Sequence, residues 1–368
     1  MKTLDQYTHL RRLSALGVSA LAITCLAGVA IAQDDGPDLP IRAMFLRSTS
    51  PIPLAGQPAG SLPLWNGSFV YSGTTYNYEM VGAAPSTNSA TVIPAVIIPI
   101  KIKLSKLRGG ATYDPSTIPS NTGGLTAIQN VVESPIFDST TTYTQGGVDV
   151  GTTQYEDAYQ RANFWGIVSS NPNYHVTLSP TVMSEVTLDV PFADGKSGSA
   201  FGETVGMVSY SWIDGKIQSL ITSLGITPGT LPIFMVYQTY LTESGTRGCC
   251  IGGYHNAVGS QTYSVFSYAP LAGAFSQDVS ALSHELGEWM DDPGIGGFNA
   301  CPCGGILEVG DPLEGNTNYG GYPYVLHGFT YNLQDLVTLP YFGAPPSTSV
   351  NNQFTFQGES LTVCQNGQ

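Results

Sequence analysis

Residues 283–293 read SHELGEWMDDP and place His284, one of five histidines in the 368-residue chain, directly before Glu285 and four positions before Glu288. Helical residues four apart lie one above the other, so an imidazole and a carboxylate at that spacing can hold one ion. A glutamate beside the first ligand can then take a proton from ion-bound water, which is the chemistry of metal-assisted hydrolysis. At about 100° per residue, with His284 at zero, Glu288 falls near 40°, Ala281 near 60° and Glu285 near 100°. Val279, Leu282, Leu286, Trp289 and Met290 spread between about 140° and 240° on the same wheel. The segment therefore predicts a helix with an apolar back and a His/Glu/Glu front. Ala281 and Gly287 are small and leave room for something to approach that front. A mid-helix glycine costs about 1 kcal/mol against alanine, so Gly287 asks for a packing or functional cause. The plainer reading is a solvent-facing His–Glu pair, which contributes only a few tenths of a kcal/mol.

A third protein ligand has to come from elsewhere. Glu308 follows Glu288 after nineteen intervening residues, in the stretch LEVGD, and Asp311 close behind it is suited to accept the free ring N–H of His284. The expected metal ligands are thus His284, Glu288 and Glu308, with Glu285 as general base. His255, in Gly253-Tyr254-His255, reads either as a fourth ligand or transition-state donor, or as a loop histidine packed under the cysteines. His327, in YPYVLHGF, reads either as a catalytic group that stabilises an oxyanion or as core packing, and His175 reads as structural. Two carboxylates beside one imidazole favour Zn²⁺ and make harder ions such as Mn²⁺ or Ca²⁺ less implausible. The chain has no G-x-S-x-G elbow, no P-loop and no dinucleotide fingerprint between strand and helix.

The interval from Glu288 to Glu308 matches that of thermolysin-like zinc peptidases, whose third ligand is a glutamate. The order helix, strand, strand, ligand helix, glutamate-bearing loop resembles the zincin architecture. More narrowly, HELGE followed by DP and LEVGD, and preceded by GYH, resembles secreted bacterial proteins related to the Exordium/phosphate-induced family over roughly residues 230–335. The resemblance implies a secreted protein. With the motif it implies a zinc-dependent peptidase or other hydrolase acting on a polypeptide or cell-wall polymer. The rival expectation is a non-catalytic extracellular module, with a structural or vestigial metal site and a cell-wall or carbohydrate partner.

The elements that must position these groups follow a signal. Lys2, Arg11 and Arg12 precede an apolar run from Leu13 that ends in Ala30-Ile31-Ala32, which predicts a cleavable secretory signal over residues 1–32. Cleavage removes three of 13 basic and one of 27 acidic residues, so the net charge moves from −14 to −16. So acidic a chain is a poor partner for nucleic acid or anionic lipid. No later run is long and apolar enough to span a membrane, so none is expected to be bound after cleavage. With 42% hydrophobic and only 11% charged residues, the rest reads as a folded, exported protein rich in strands and loops.

Residues 33–150 read as a β-rich N-terminal region. It comprises a proline-rich arm to about Pro63, two short strands over 68–82 joined at Ser72-Gly73-Thr74, and a strand over 90–104 whose prolines suit an edge or a bulge. Residues 151–368 read as the zincin-like domain. Its expected elements begin with a helix over 152–165, with Tyr155, Ala158, Tyr159, Ala162 and Trp165 in one stripe and Glu156 and Asp157 facing Arg161 on the polar side. Strands over 174–178 and 185–190 come next, then a helix capped by Asp214 and closed by Gly225 and Pro228, and strands over 231–241 and 261–268. The motif helix starts near Ser276 and stops at Asp292-Pro293, ahead of a long Gly-rich loop. The predicted class is α+β: a mixed sheet, an active-site helix and an irregular, loop-rich C-terminal part. Five cysteines follow the signal, Cys249, Cys250, Cys301, Cys303 and Cys364, and an exported protein is expected to bridge them with one left over. A link from Cys249/Cys250 to Cys301/Cys303 is expected, and a zinc knot is disfavoured because its paired cysteines stand two to four residues apart.

Overall fold

The computed structural model describes residues 59–294 except 72–73, 146, 201 and 275, together with residues 321–334, 337–338 and 353–354. The described residues fall within a single compact unit. The signal segment, the arm up to residue 58, Cys301, Cys303, Glu308, Asp311 and Cys364 lie outside them.

Strands β1 (Leu64–Tyr71) and β2 (Thr74–Val81) form an antiparallel hairpin. Next come β3 (Ala90–Leu104), β4 (Thr112–Tyr113), α1 (Ala127–Val132), β5 (Thr141–Gln145), β6 (Val148–Thr153), α2 (Tyr155–Asn163) and α3 (Trp165–Val168). The middle of the chain supplies β7 (His175–Val182), β8 (Val186–Val190), β9 (Gly195–Ala200), β10 (Glu203–Ser209), α4 (Tyr210–Ser223), β11 (Leu231–Tyr237) and β12 (Thr239–Ser244). After these come β13 (Arg247–Ile251), β14 (Gly253–Val258), β15 (Gln261–Tyr268) and α5 (Ser280–Asp291), then β16 (Gly321–Leu326), β17 (Phe329–Gln334), β18 (Val337–Thr338) and β19 (Gln353–Phe354). The class is α+β, dominated by strands.

A seven-stranded mixed sheet carries the core. Its path runs β14-β15-β11-β3-β4, with β7 and β8 also paired to β3. The inner pairs are parallel, whereas β14 and β4 run antiparallel to their neighbours. Strand β3 comes from the β-rich N-terminal region and joins strands of the later region in this one sheet.

Its central place corrects the edge or bulge expected from its prolines. Proline lacks an N–H and is tolerated where no ladder bond is due. Pro94 stands one residue before pairing with β11 begins at Ala95. Pro99 falls where β7 stops pairing, at Ile97, and before β8 starts, at Ile100.

The inner strands are buried on both faces, so their alternating residues serve two cores. Along β11, Ile233, Met235 and Tyr237 pack with α2 and α5, while Phe234 and Val236 pack with α4. The strand expected over 231–241 is broken by Gln238, whose φ of 48° turns the chain from the large sheet into a second one ordered β13-β12-β10-β9.

Two further local expectations are corrected. Helix α4 starts at Tyr210, not at Asp214; Asp214 sits inside it, where it is 9% exposed and accepts hydrogen bonds from tyrosines. Cys249 is bridged to Cys250, not to Cys301 or Cys303. Among the described residues no helix is long and apolar enough to cross a membrane.

Candidate metal centre

Helix α5 starts at Ser280, four residues later than expected, since Asp278 has a φ of 45°, and Asp292-Pro293 follows its end as expected. Its apolar back, Leu282, Leu286, Trp289 and Met290, packs into the core, and the Trp289 indole donates to Thr262 Oγ1 of β15 at 3.0 Å. The His/Glu/Glu front is buried as well: His284 is 4% exposed, Glu285 and Glu288 1% each. Strands β2, β14, β15 and β17 and helix α2 all pack on this helix. The solvent-facing His–Glu pair of the plainer reading is therefore not what forms.

Both glycines beside the motif are explained by close approach. A Cβ on Gly253 of β14 would stand 2.9 Å from Glu285 Cγ and Oε1. A Cβ on Gly287 would stand 2.9 Å from Cε1 of Tyr159 and 3.4 Å from Oε2 of Glu156, both on α2. The space beside Gly287 is thus filled by α2.

His255 comes from the edge strand β14. Tyr254, one residue earlier, points to the opposite face, where its hydroxyl donates to Asp214 Oδ1 at 3.0 Å. Tyr263 of β15 donates to the same oxygen at 2.7 Å, and Gln218 donates to Oδ2 at 2.8 Å. With Tyr254 anchored on α4, strand alternation turns His255 toward α5. There its Nδ1 lies 3.3 Å from Glu285 Oε2 and 3.9 Å from Glu288 Oε2. The ligating atoms of His255, Glu285 and Glu288 all lie within 4.8 Å of one another. On the other side of Glu288, the same Oε2 lies 3.3 Å from His284 Nε2.

The protonation of His255 follows from its surroundings. Burial pushes its imidazole down to about 4, against the opposing pull of Glu288, so the ring is neutral at pH 7. Its Nε2 faces the Asp292 carbonyl at 3.2 Å; a carbonyl only accepts, so Nε2 carries the hydrogen and Nδ1 the lone pair. A lone pair and two carboxylates then converge in a water-poor space, an arrangement that a cation or a proton between them relieves. The ring N–H on a backbone carbonyl is also the support that metal-ligating histidines commonly have. Two ligands at about 2.0–2.1 Å from one tetrahedral ion stand about 3.3 Å apart. The His284–Glu288 separation of 3.3 Å matches that edge and His255 Nδ1 stands 3.9 Å from the same Glu288 oxygen, so these residues could hold a divalent ion.

Of the sequence-predicted residues, the structure brings together His284, Glu285, Glu288 and His255, and it places His255 in strand β14 and not in a loop. His327 lies instead in the exposed turn between β16 and β17, with a φ of 51°. Glu308 and Asp311 lie outside the described residues. His175 lies apart in β7, its Nδ1 2.6 Å from Asp157 Oδ2.

Sequence reasoning misplaced the acids of α2. The expectation that Glu156 and Asp157 line a polar surface with Arg161 is corrected, because all three are buried. Arg161 donates to the carbonyls of Val150 and Tyr174, and Asp157 also accepts from the Val176 backbone. Glu156 points at α5 instead, and neither of its oxygens has a hydrogen-bond partner. An acidic residue in a helix's first turn is ordinary, so no sequence signal singles it out.

No family model, curated protein or solved structure matches this chain.

Proposed function

We propose that the protein is an exported metal-dependent hydrolase, a zincin-like peptidase acting on polypeptide or on a peptide-containing cell-wall polymer. The observation that carries this reading is the meeting of His255 Nδ1 with Glu285 and Glu288, beside the His284–Glu288 pair. His255, His284 and Glu288 make up a two-imidazole, one-carboxylate donor set, the composition of several catalytic zinc sites. Glu308 is a candidate for a further ligand. Zinc is the favoured ion; when bound it supplies Lewis acidity toward water and a substrate carbonyl. Glu285, adjacent to His284 in sequence and 3.3 Å from His255, is the group that takes and returns the proton. The carbonyl of Asp292 holds His255 in the tautomer that presents Nδ1. The mixed sheet, with its antiparallel edge strand β14 beside the motif helix, supports the zincin-like part of the reading.

Elemental analysis of the purified mature protein, paired with the Glu285→Gln variant, tests it. The wild type should hold stoichiometric metal and cleave a generic protein substrate such as casein. The variant should keep the metal and lose roughly 10²- to 10⁴-fold in rate, the range expected for a lost general base. A wild type without stoichiometric metal refutes the proposal.

A second reading draws support from the depth of the site. Each of its four residues is at most 4% exposed, and structural metal sites are closed where catalytic ones keep an open position. In that case the protein is a non-catalytic extracellular module with a structural ion. Bound metal whose removal unfolds the protein, with no hydrolysis of polypeptide or cell-wall substrates, decides for it.

A further inference from the structure

We propose that Asp214 of α4 is a positioning residue of this metal centre, fixing His255 from the far face of the sheet through the hydroxyl of Tyr254. The proposal rests on the metal-site reading above and adds to it a residue on the opposite side of the sheet.

Strand β14 ends the path of the large sheet, and its ladder runs to β15 alone. An edge strand has backbone bonds on one side only, so the seating of its side chains decides how it is rolled and placed. On the α5 face, His255 stands opposite Ser264, whose buried Oγ has no hydrogen-bond partner, and Gly253 has no side chain to anchor. The sheet itself therefore gives the imidazole no hold. On the α4 face the same strand is tied down at Tyr254. Its hydroxyl donates to Asp214 Oδ1 at 3.0 Å, and its ring meets that of Tyr210 edge-on, with centroids 5.0 Å apart and planes at 85°. Tyr254 and His255 are consecutive residues of one strand, so a roll or slide of β14 moves both.

Asp214 is itself held in place. Gln218, one turn further along α4, donates to Oδ2 at 2.8 Å, and Tyr263 of β15 donates to Oδ1 at 2.7 Å. The carboxyl group thus joins the helix to both strands and serves as a fixed reference for the outer one. This bears on the site because the separations there are narrow. His255 Nδ1 lies 3.3 Å from Glu285 Oε2 and 3.9 Å from Glu288 Oε2, while Nε2 lies 3.2 Å from the Asp292 carbonyl. A binding constellation has to be kept within about 0.5 Å of its working geometry, so a small roll of β14 is enough to take His255 out of it. Tyr263 supplies the control. It gives the same oxygen the same kind of bond, but from β15, which is paired on both sides, by β14 and β11.

The test uses the full mature chain with Zn²⁺ or Co²⁺ alone as probes, and compares Tyr254→Phe with Tyr263→Phe. Each variant removes one hydroxyl bonded to Asp214 Oδ1 and keeps the ring, and circular dichroism checks that each is folded. Calorimetric titration should show Zn²⁺ affinity reduced about 10-fold in Tyr254→Phe, the low end for groups that orient a ligating histidine, and unchanged in Tyr263→Phe. The visible absorption of the Co²⁺ protein should change only in Tyr254→Phe, a signature that a merely structural bond would not move. Asp214→Asn, which keeps one of the two acceptor oxygens, takes the place of Tyr254→Phe if that protein does not fold, and is read against the same control. Unchanged affinity and an unchanged Co²⁺ band in the folded variant, or an equal loss in the control, overturn the proposal and leave the metal site standing. A wild type that binds neither ion overturns the metal-site reading and this proposal with it.

Discussion

Replacing Gly287 by alanine sets two effects of known sign against each other. Alanine in the interior of α5 gains about 1 kcal/mol of helix propensity over glycine. The added Cβ would stand 2.9 Å from Cε1 and 3.2 Å from Cδ1 of Tyr159. That ring is buried at 3% exposure and packs against Tyr155, with ring centroids 6.3 Å apart, so it has little space to retreat into. Overpacking of this kind costs about 1–3 kcal/mol, and the net expectation is a loss of up to about 2 kcal/mol. Gly215 provides the internal control. It too is inside a helix, α4, but its Cβ would meet nothing within 4 Å, so alanine there should stabilise by up to about 1 kcal/mol. Urea titrations of the two variants should therefore shift the midpoint in opposite directions. Only Gly287→Ala, which strains the motif helix against α2, should also weaken Zn²⁺ binding. Equal stabilisation by both alanines would refute the close packing of α2 on α5.

Three further outcomes are expected. Asp278, 2% exposed, holds Asn332 of β17 through bonds of 2.8 and 2.6 Å, yet burial pushes its carboxyl up to about 7. The folded chain thus binds a proton that the unfolded chain releases, so this stability is fully present below about pH 4 and lost as the pH rises through about 7. The slope of urea midpoint against pH, taken on metal-free protein, should flatten in Asp278→Asn; an unchanged slope counts against it. Asp214→Ala removes the acceptor of Tyr254, Tyr263 and Gln218, which at about 1–3 kcal/mol per stranded buried group should cost several kcal/mol and loosen β14 under His255. A loss below about 1 kcal/mol would show that the acceptor is dispensable. Zinc at about 100 times its dissociation constant should add about 2.7 kcal/mol, so chelation should lower the thermal midpoint, and no shift on chelation contradicts a native-state ion.

What was legible in the sequence was local. The motif helix could be read because Leu282, Leu286, Trp289 and Met290 follow its period and Pro293 ends it. The hairpin of β1 and β2 was legible from its turn residues. Pro94 and Pro99 misled because proline reports a missing donor and not a strand's neighbours. Whether that donor falls at a sheet edge or in a gap between two partner strands is set by the register. Asp214 misled for a related reason: an acid near a helix start usually caps it, whereas here two tyrosines from β14 and β15 recruit it into the core. The motif helix could be found from its own residues, but His255, which meets Glu285 and Glu288, arrives from β14, and pairing across a sheet face leaves no spacing to read.

The balance of charge in that place bears most on function. With the Glu285 and Glu288 oxygens within 4.8 Å of each other, two ionised carboxylates would repel by on the order of 3–4 kcal/mol at an effective dielectric of about 20. His255 does not offset this as a cation, because burial keeps it neutral at pH 7. Hydrophobic side chains of similar volume would hold β14 on α5 without that repulsion. A sheet that seats Gly253 to admit Glu285, and a tyrosine–aspartate anchor that turns His255 inward, would on packing grounds alone be working against stability. The same arrangement becomes favourable once a divalent cation is shared by these groups, so that binding the ion and completing the fold draw on one free energy.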